Sequence, residues 1–196
     1  MNVRKQILTS LISLATFAPM KAQKPVRFVS ETGITGVMKN EASYYTGMNF
    51  EFPRGKNYTD LYGGITMKPN QQASFVGLII NNFSWTKNIS SWARETFSAG
   101  HDVKSTLQVA PVCTNAKAGK FNFSFKPSYV MYNDLKKGST TQGVGAIFQT
   151  TYSMTPKDML FFEGAYASEP SKNLFHTHFG NFKDNFSYMF SYMRRF

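Results

Sequence analysis

The sequence predicts an all-β protein, namely a transmembrane, antiparallel, up-and-down β-barrel of about ten strands. Two observations lead to this fold class. Apolar and polar residues alternate with a period of two in segment after segment, and turn-type residues separate the segments. The aromatic fraction reaches 16%, with 19 Phe and 10 Tyr, although the chain has no run of about 18 apolar residues that would form a spanning helix. A strand with one apolar and one polar face accommodates both features.

The N-terminal residues have the three-part pattern of a secretory signal peptide. Arg4 and Lys5 form a basic start, residues 7–20 are mostly apolar but too short to cross a bilayer, and Ala22 is a small residue at a cleavage position. We therefore expect residues 1–22 to be removed and residues 23–196 to form one domain. An amphipathic N-terminal helix or a retained anchor is the alternative interpretation.

Residues 185–196 carry the clearest strand pattern in the chain. Near-strict period-two alternation over this length indicates a strand whose faces meet different solvents, and the length suits a tilted strand that crosses hydrocarbon. The polar face holds Asn185, Ser187, Met189, Ser191, Met193 and Arg195. The aromatic face, which suits lipid, holds Phe186, Tyr188, Phe190, Tyr192 and the terminal Phe196.

A chain that stops at an aromatic residue closing such a strand resembles bacterial outer-membrane β-barrels as a class. The resemblance implies that the five aromatic residues form the signal read by the barrel-assembly machinery. It also implies a location in the outer membrane, in contact with its lipid and lipopolysaccharide. Arg194 departs from the pattern because it falls on the predicted lipid face, where its long side chain could reach the interface. The last strand of a soluble sandwich is the alternative.

The same alternation continues upstream and, with the intervening turn residues, predicts ten strands, although eight or twelve also fit. An even number returns both chain ends to the periplasmic side. The strands are expected near 26–37, 41–52, 58–67, 72–84, 89–98, 104–112, 119–131, 141–153, 157–166 and 185–196. The periplasmic connections are expected near 53–57, 85–88, 113–118 and 154–156. The outer connections are expected near 38–40, 68–71, 99–103, 132–140 and 167–184.

Several charged residues fall on the predicted lumen face of these strands. Unpaired charge in a narrow, poorly hydrated lumen is costly, so internal ion pairs that fill the lumen are the favoured interpretation. A small polar pore or a ligand site is the alternative, but ten strands lie below the porin range. Arg94 and Glu95 are adjacent, so only one of them can point inward. The predicted lumen charges are Glu31, Glu51, Asp60, Lys126, Glu163 and Arg195.

The three histidines are weak candidates for catalysis. His101 and Asp102 lie on one predicted outer loop, and His176 and His178 lie on the longest one. An acid beside an imidazole is a feature of general-base chemistry, and two histidines two residues apart could share a metal. No spacing supplies the nucleophile or the third ligand that such sites need. We therefore expect neither a metal nor another cofactor.

The remaining composition excludes two further classes of function. Cys113 is the one cysteine, so the chain has no disulfide framework, and its apolar context predicts a residue that fills space or faces lipid. The formal net charge is +11, but the basic residues are dispersed and form no nucleic-acid stripe.

The sequence thus predicts an integral outer-membrane barrel with a mostly filled polar lumen and a structural or surface-interaction role. A rim-sited enzyme acting on lipid A or peptides, and a narrow channel, are the alternatives. No residue pattern identifies a substrate or an oligomeric state.

Overall fold

A computed structural model describes residues 25–37, 42–67, 73–99, 103–167 and 186–196, and these form a closed barrel of ten antiparallel strands. The predicted all-β, antiparallel up-and-down barrel and its strand number are confirmed. Every strand pairs with its neighbours in sequence, and β1 pairs with β10 to close the barrel. The strands are β1 (Arg27–Val37), β2 (Ser43–Arg54), β3 (Asn57–Met67), β4 (Ser74–Ser84), β5 (Ile89–Ala99), β6 (Val103–Ala118), β7 (Phe121–Asp134), β8 (Ser139–Ser153), β9 (Asp158–Ala167) and β10 (Phe186–Arg195). Within these ranges no helix is long and apolar enough to cross a membrane.

The barrel closes where β1 and β10 approach each other closely. The pairing runs from Val29 opposite Arg195 to Val37 opposite Ser187, and the Phe196 amide donates to the Phe28 carbonyl at 3.0 Å. A Cβ atom placed on Gly33 would lie 2.2 Å from the Phe190 carbonyl oxygen. Glycine at position 33 therefore allows this close approach of the two backbones.

Successive side chains point alternately into the barrel and away from it. The adjacent tyrosines of β2 show this most clearly, because Tyr44 is 59% exposed and Tyr45 is 1% exposed. On β10, Ser187 and Ser191 are buried inside, whereas Phe186 and Phe190 are exposed outside. The period-two pattern in the sequence thus corresponds to an inner and an outer face.

One predicted connection is wrong: residues 113–118 are strand, not loop. β6 continues to Ala118, and the turn lies at Gly119 and Lys120, where Gly119 has a φ of 58°. A β-bulge disturbs the pattern, since the pairing with β5 shifts between Ser90 and Trp92. The extra residue lets both Ala110 and Cys113 face inward with no exposed surface.

The two ends of the barrel differ in their connections. At the end that holds Arg27 and Arg195, short turns at 55–56, 85–88, 119–120 and 154–157 join the strands. At the opposite end, residues 135–138 join β7 to β8, and the other four connections lie outside the described residues. We call the first end the short-turn end.

Candidate binding site in the barrel interior

The barrel interior holds a cavity of about 730 Å³. Its wall includes Gly55, Lys56 and Lys87 from the turns of the short-turn end, and it extends inward to Arg94 and Glu163. The cavity is therefore a cup whose mouth lies at the short-turn end. Ligand sites in proteins typically have volumes of about 300–1,000 Å³.

A buried ion pair forms the inner end of this cup. Nη1 of Arg94 lies 3.0 Å and 3.1 Å from the two carboxylate oxygens of Glu163, and Nε of Arg94 donates to Oε1 of Gln108 at 2.7 Å. Nε2 of Gln149 donates to the same carboxylate at 2.6 Å. Both charges are thus held by several partners, which is the condition under which a buried pair is tolerated.

Trp92 supports the cations of this network. The centre of its ring lies 4.9 Å from Cζ of Arg94 and 4.3 Å from Nζ of Lys126. Lys126 also donates to the side-chain carbonyl of Gln149. The indole face and the hydrogen bonds together compensate for the burial of two positive charges.

Beyond the ion pair, toward the other end of the barrel, small and apolar side chains fill the interior. Val130, four residues past Lys126, has no exposed surface, and Ala165, two residues past Glu163, is 4% exposed. They belong to one buried cluster with Ile147 and with Trp92, Ala110 and Cys113, and the last three lie nearer the short-turn end than Arg94 and Gln108. In the described part of the chain, the buried inward side chains of Thr96, Thr106, Val130 and Ala165 close the cup beyond the ion pair.

Glu31 joins three strands at the closure of the barrel. Its Oε1 accepts hydrogen bonds from the Tyr45 hydroxyl of β2 at 2.9 Å and from the Ser191 hydroxyl of β10 at 2.8 Å. The residue is buried, and these two hydroxyls provide hydrogen bonds to one oxygen of its carboxylate. Glu31 therefore stabilises the junction of β10, β1 and β2.

A second charged group lies at the mouth of the cup. Nη2 of Arg195 donates to Oε1 of Glu51 at 3.3 Å, and Arg27 lies 3.9 Å from the same carboxylate. These side chains are partly exposed, so solvent weakens the ion pairs. The mouth is thus more hydrated than the inner end.

Three buried side chains on β2 and β3 line the cup with unpartnered polar atoms. They are Oδ1 of Asn49, Oδ1 of Asp60 and the hydroxyl of Tyr62, and each residue is less than a tenth exposed. Asn49 pairs with Tyr62 across the two strands, and Asp60 is two residues from Tyr62 on the same face. We call Asn49, Asp60 and Tyr62 the acceptor patch.

Two glycines make room for the side chain of Tyr62. Gly47 and Gly64 are opposite each other on β2 and β3, and a Cβ atom on either would come within 2.5 Å of the Tyr62 hydroxyl. The Tyr62 ring thus packs over the backbone of Gly47 and Gly64, which have no side chains. Glycine at both positions therefore leaves space for the ring inside the barrel.

The structure places the six charges selected from the sequence on the wall of the cup: Glu31, Glu51, Asp60, Lys126, Glu163 and Arg195. Of the adjacent Arg94 and Glu95, only one could point into the lumen, and the structure shows that it is Arg94. Sequence reasoning missed Trp92, Gln108, Gln149 and Tyr45. All four point inward by the same alternation, but the sequence does not indicate which partners a neutral side chain on the lumen face contacts.

The other selected residues are distributed as follows. His101, Asp102, His176 and His178 lie outside the described residues. Among the residues that are described, no group of three or more His, Cys, Asp or Glu could hold a metal ion. The side chains of Phe186, Phe190 and Phe196 are exposed, and those of Tyr188 and Tyr192 are partly exposed.

Arg194, Asp158 and Glu95 are charged residues on the outer face. Arg194 lies 3.5 Å from Asp158 at the edge of the short-turn end. Hydrogen bonds from Thr155 and Tyr192 lower the pKa of Asp158, so its carboxylate stays charged beside Arg194. Glu95, in contrast, lies in the middle of β5, between the inward Arg94 and Thr96.

No protein-family model and no curated protein matches this chain.

Proposed function

We propose that this chain is exported, loses residues 1–22, and inserts into a bacterial outer membrane as an integral β-barrel with a structural or surface-interaction role. The closed antiparallel barrel is a fold that can cross a membrane, and the proposal starts from it. The observation that carries it is the outer face, which is apolar around the whole circumference.

Each of the ten strands presents at least one large, exposed hydrophobic side chain to the outside. Water-soluble monomers rarely expose an apolar patch larger than about 300–600 Å², whereas a bilayer requires such a belt. One residue from each strand, in order from β1 to β10, is Phe28, Phe50, Leu61, Phe75, Phe97, Leu107, Phe125, Phe148, Tyr166 and Phe190.

The height of the barrel supports the same proposal. β10 has 10 residues and β1 has 11. Ten residues at about 3.3 Å each, tilted by about 40°, rise about 25 Å along the axis. This is about the height of the apolar band of outer-membrane barrels.

Aromatic rings cluster near the short-turn end, where the strands would leave the hydrocarbon. Phe28 and Phe50 contact edge to face at 5.3 Å between ring centres, and Phe121 lies 4.7 Å from Tyr152. Aromatic girdles mark the interfaces of membrane barrels. Arg194 and Asp158 lie at this same edge, where a charged pair can reach water.

The closed interior favours a structural or surface-interaction role over transport. The Arg94–Glu163 pair and the buried inward side chains beyond it, such as Thr96 and Val130, occupy the lumen in the described part of the chain. An open aqueous pore needs a wider barrel of about 16 strands. At the end facing away from the periplasm, the connections between strands, rather than a pore, would then interact with the cell's surroundings.

The location is tested by expressing the full chain in a Gram-negative host and fractionating the envelope. We expect the protein in the outer-membrane fraction, a mature N-terminus at Gln23, and a gel mobility that changes on boiling. Replacing Ala22 with Trp serves as the control, because a bulky residue blocks cleavage and should retain the leader. A soluble periplasmic protein whose mobility does not change on boiling would contradict the proposal.

A further inference from the structure

Basic residues that are dispersed along the sequence lie together at the short-turn end. The up-and-down topology causes this, because every second connection along the chain returns to the same end of the barrel. Lysine or arginine residues occur in or beside each of the four short turns, and also on the first and last strands. The described basic residues of this end are Arg27, Arg54, Lys56, Lys87, Lys117, Lys120, Lys157, Arg194 and Arg195.

Each of the four short turns carries one exposed lysine. Nζ of Lys56 donates to the Trp85 carbonyl oxygen at 3.1 Å, and Nζ of Lys120 donates to the Met154 carbonyl oxygen at 3.3 Å, so both ammonium groups lie beside the next turn. Lys56 and Lys87 also border the mouth of the cup. We call these four residues the turn lysines: Lys56, Lys87, Lys120 and Lys157.

The turn lysines are available to an anionic partner. None of the four forms an ion pair with another described residue. An ammonium group has three N–H donors, and the one hydrogen bond that Lys56 or Lys120 makes to a carbonyl leaves donors for a further acceptor.

The acidic residues at this end do not balance the basic ones. Glu51 and Asp60 of the acceptor patch are opposite each other on β2 and β3, and both line the cup rather than the outer rim. Asp158, at the start of β9, lies 3.5 Å from Arg194. The described part of this end thus carries an excess of positive charge, to which the turn lysines contribute the unpaired groups.

The turn between β7 and β8, at the opposite end, has lysines of a different kind. Asp134 accepts hydrogen bonds from the backbone amides of Lys136 and Lys137, and its carboxylate lies 3.9 Å from Nζ of Lys137. A carboxylate therefore accompanies the basic residues of this turn, which makes it a suitable control.

The outer surface beside Lys56 and Lys87 is aromatic. Trp85 is 67% exposed, and its indole N–H donates at 2.7 Å to the hydroxyl of Ser91, an outer-face residue between the inward Ser90 and Trp92. In a membrane barrel, such rings lie at the level of the lipid headgroups, and long basic side chains beside them can reach the phosphate groups.

We therefore propose that the short-turn end binds the headgroups of anionic phospholipids in the leaflet around it, through the turn lysines. The inference rests on the proposed membrane location and names the lipid class that this end contacts. Lysine and arginine residues near an anionic lipid surface are each attracted to it, and the attraction declines within a Debye length.

The distribution of the basic residues around the barrel favours lipid over a single acidic protein. The turn lysines come from four hairpins that extend from β2 to β9, and Arg27 and Arg194 lie on the remaining strands, β1 and β10. Lipid headgroups surround a membrane barrel on all sides, whereas one protein bound at the rim would contact only a sector. The ring of charge thus matches the shape of the leaflet.

Trp85 serves as a native reporter of the lipid beside Lys56 and Lys87. The purified, folded protein is reconstituted in vesicles with phosphatidylcholine as the main lipid and phosphatidylglycerol as the minor one. Two preparations have the same composition, and the bromine atoms, which quench tryptophan on contact, are on all the phosphatidylglycerol in one and on an equal amount of phosphatidylcholine in the other. Both leaflets are alike, so the direction of insertion does not affect the result.

We expect brominated phosphatidylglycerol to quench at least about twofold more than the same amount of brominated phosphatidylcholine. Concentrated salt should bring the ratio of the two toward one, because it screens the attraction. Trp92 is 2% exposed inside the barrel and adds the same background to both preparations. Trp85→Phe should therefore remove the difference.

Three double variants test whether charge at the turn lysines causes the selectivity. Lys56→Gln with Lys87→Gln should bring the ratio close to one. Lys56→Arg with Lys87→Arg keeps both charges and should keep the ratio. Lys136→Gln with Lys137→Gln removes the same number of charges at the opposite end and should leave the ratio unchanged.

Equal quenching by the two brominated lipids in the unsubstituted protein would overturn the inference while leaving the membrane location intact, and would leave an acidic soluble partner as the use of the basic ring. Selective quenching that persists in the Lys56→Gln, Lys87→Gln variant would overturn the role of these lysines. Absence of quenching by either lipid would contradict the membrane location itself, and the inference with it.

Discussion

Arg94 of β5 and Glu163 of β9 form a buried ion pair across the lumen, with Nη1 of the arginine 3.0 Å from Oε2 of the glutamate. The two residues are 69 positions apart in the chain and lie on strands that are not neighbours in the barrel. Their pairing therefore links opposite walls, which backbone hydrogen bonds alone cannot do. The same pair forms the inner end of the cup.

Replacing Glu163 with Gln should destabilise the barrel, because it leaves the Arg94 guanidinium buried without a countercharge. We expect the free energy of unfolding to fall by about 3 kcal/mol. Urea titration of the protein in detergent micelles, followed by tryptophan fluorescence, measures the change. Lys136→Ala, in the exposed turn between β7 and β8, should change stability by less than about 0.5 kcal/mol.

The double variant Arg94→Met with Glu163→Leu separates charge from packing. Removing both charges avoids the uncompensated ion, so much of the loss caused by Glu163→Gln should be recovered. A double variant that is less stable than the Gln variant would contradict this interpretation of the pair.

The closed lumen predicts that the purified protein does not conduct ions. Val130 and Ile147 have no exposed surface, and no water-filled path through them is expected. Recordings in planar bilayers should show no stable conductance steps above the background of protein-free detergent. Regular ohmic steps at protein concentrations that insert single barrels would contradict the closed lumen.

We predict that replacing Glu95 with an apolar residue makes the protein more stable. It lies on the outer face in the middle of β5, where the proposed membrane location would bring its carboxylate into unfavourable contact with lipid. Glu95→Leu should raise the free energy of unfolding in lipid vesicles by about 1–2 kcal/mol. In the matched variant Ala93→Glu, two residues along the same face, stability should fall by a similar amount. Loss of stability in Glu95→Leu would show that this face does not meet lipid.

We expect the side chain of Phe196 to promote assembly of the barrel in cells and to contribute little to its stability. Its side chain is 70% exposed, and its backbone amide alone donates to Phe28. Phe196→Ala keeps that hydrogen bond, so refolding in detergent should be unchanged, whereas the amount assembled in the outer membrane of cells should fall severalfold. Equal assembly of both proteins in cells would contradict the signal function assigned to the C-terminal aromatic residues.

The sequence was sufficient for the fold because a barrel repeats one simple rule. Tyr44 and Tyr45 illustrate it, since alternation alone decides which tyrosine is buried. Ten strands and nearly all their bounds follow from this period and from the turn residues. β6 was the exception, because Pro111 and Cys113 lie at a bulge that interrupts the period. Proline tolerated at a bulge looks, in sequence, like the end of a strand.

The site was less predictable than the fold. Alternation assigns a face to Asp60 and Glu163, but the register and curvature of the barrel decide which inward residues meet. Glu163 contacts Arg94 four strands away, whereas Asp60 has an oxygen without a partner. Such relationships depend on the closure of the sheet, which period-two patterns do not encode.

The central claim, that the aromatic face of the strands meets lipid, is tested most directly by spin labels along β10. In a Cys113→Ala background, single cysteines at positions 186 to 193 are labelled with a nitroxide in vesicles. Collision rates with oxygen and with a water-soluble nickel complex are then measured at each position. We predict high oxygen accessibility at 186, 188, 190 and 192 and low oxygen accessibility at the intervening positions. Equal values at all positions, or access of the nickel complex to 188 and 190, would contradict the claim.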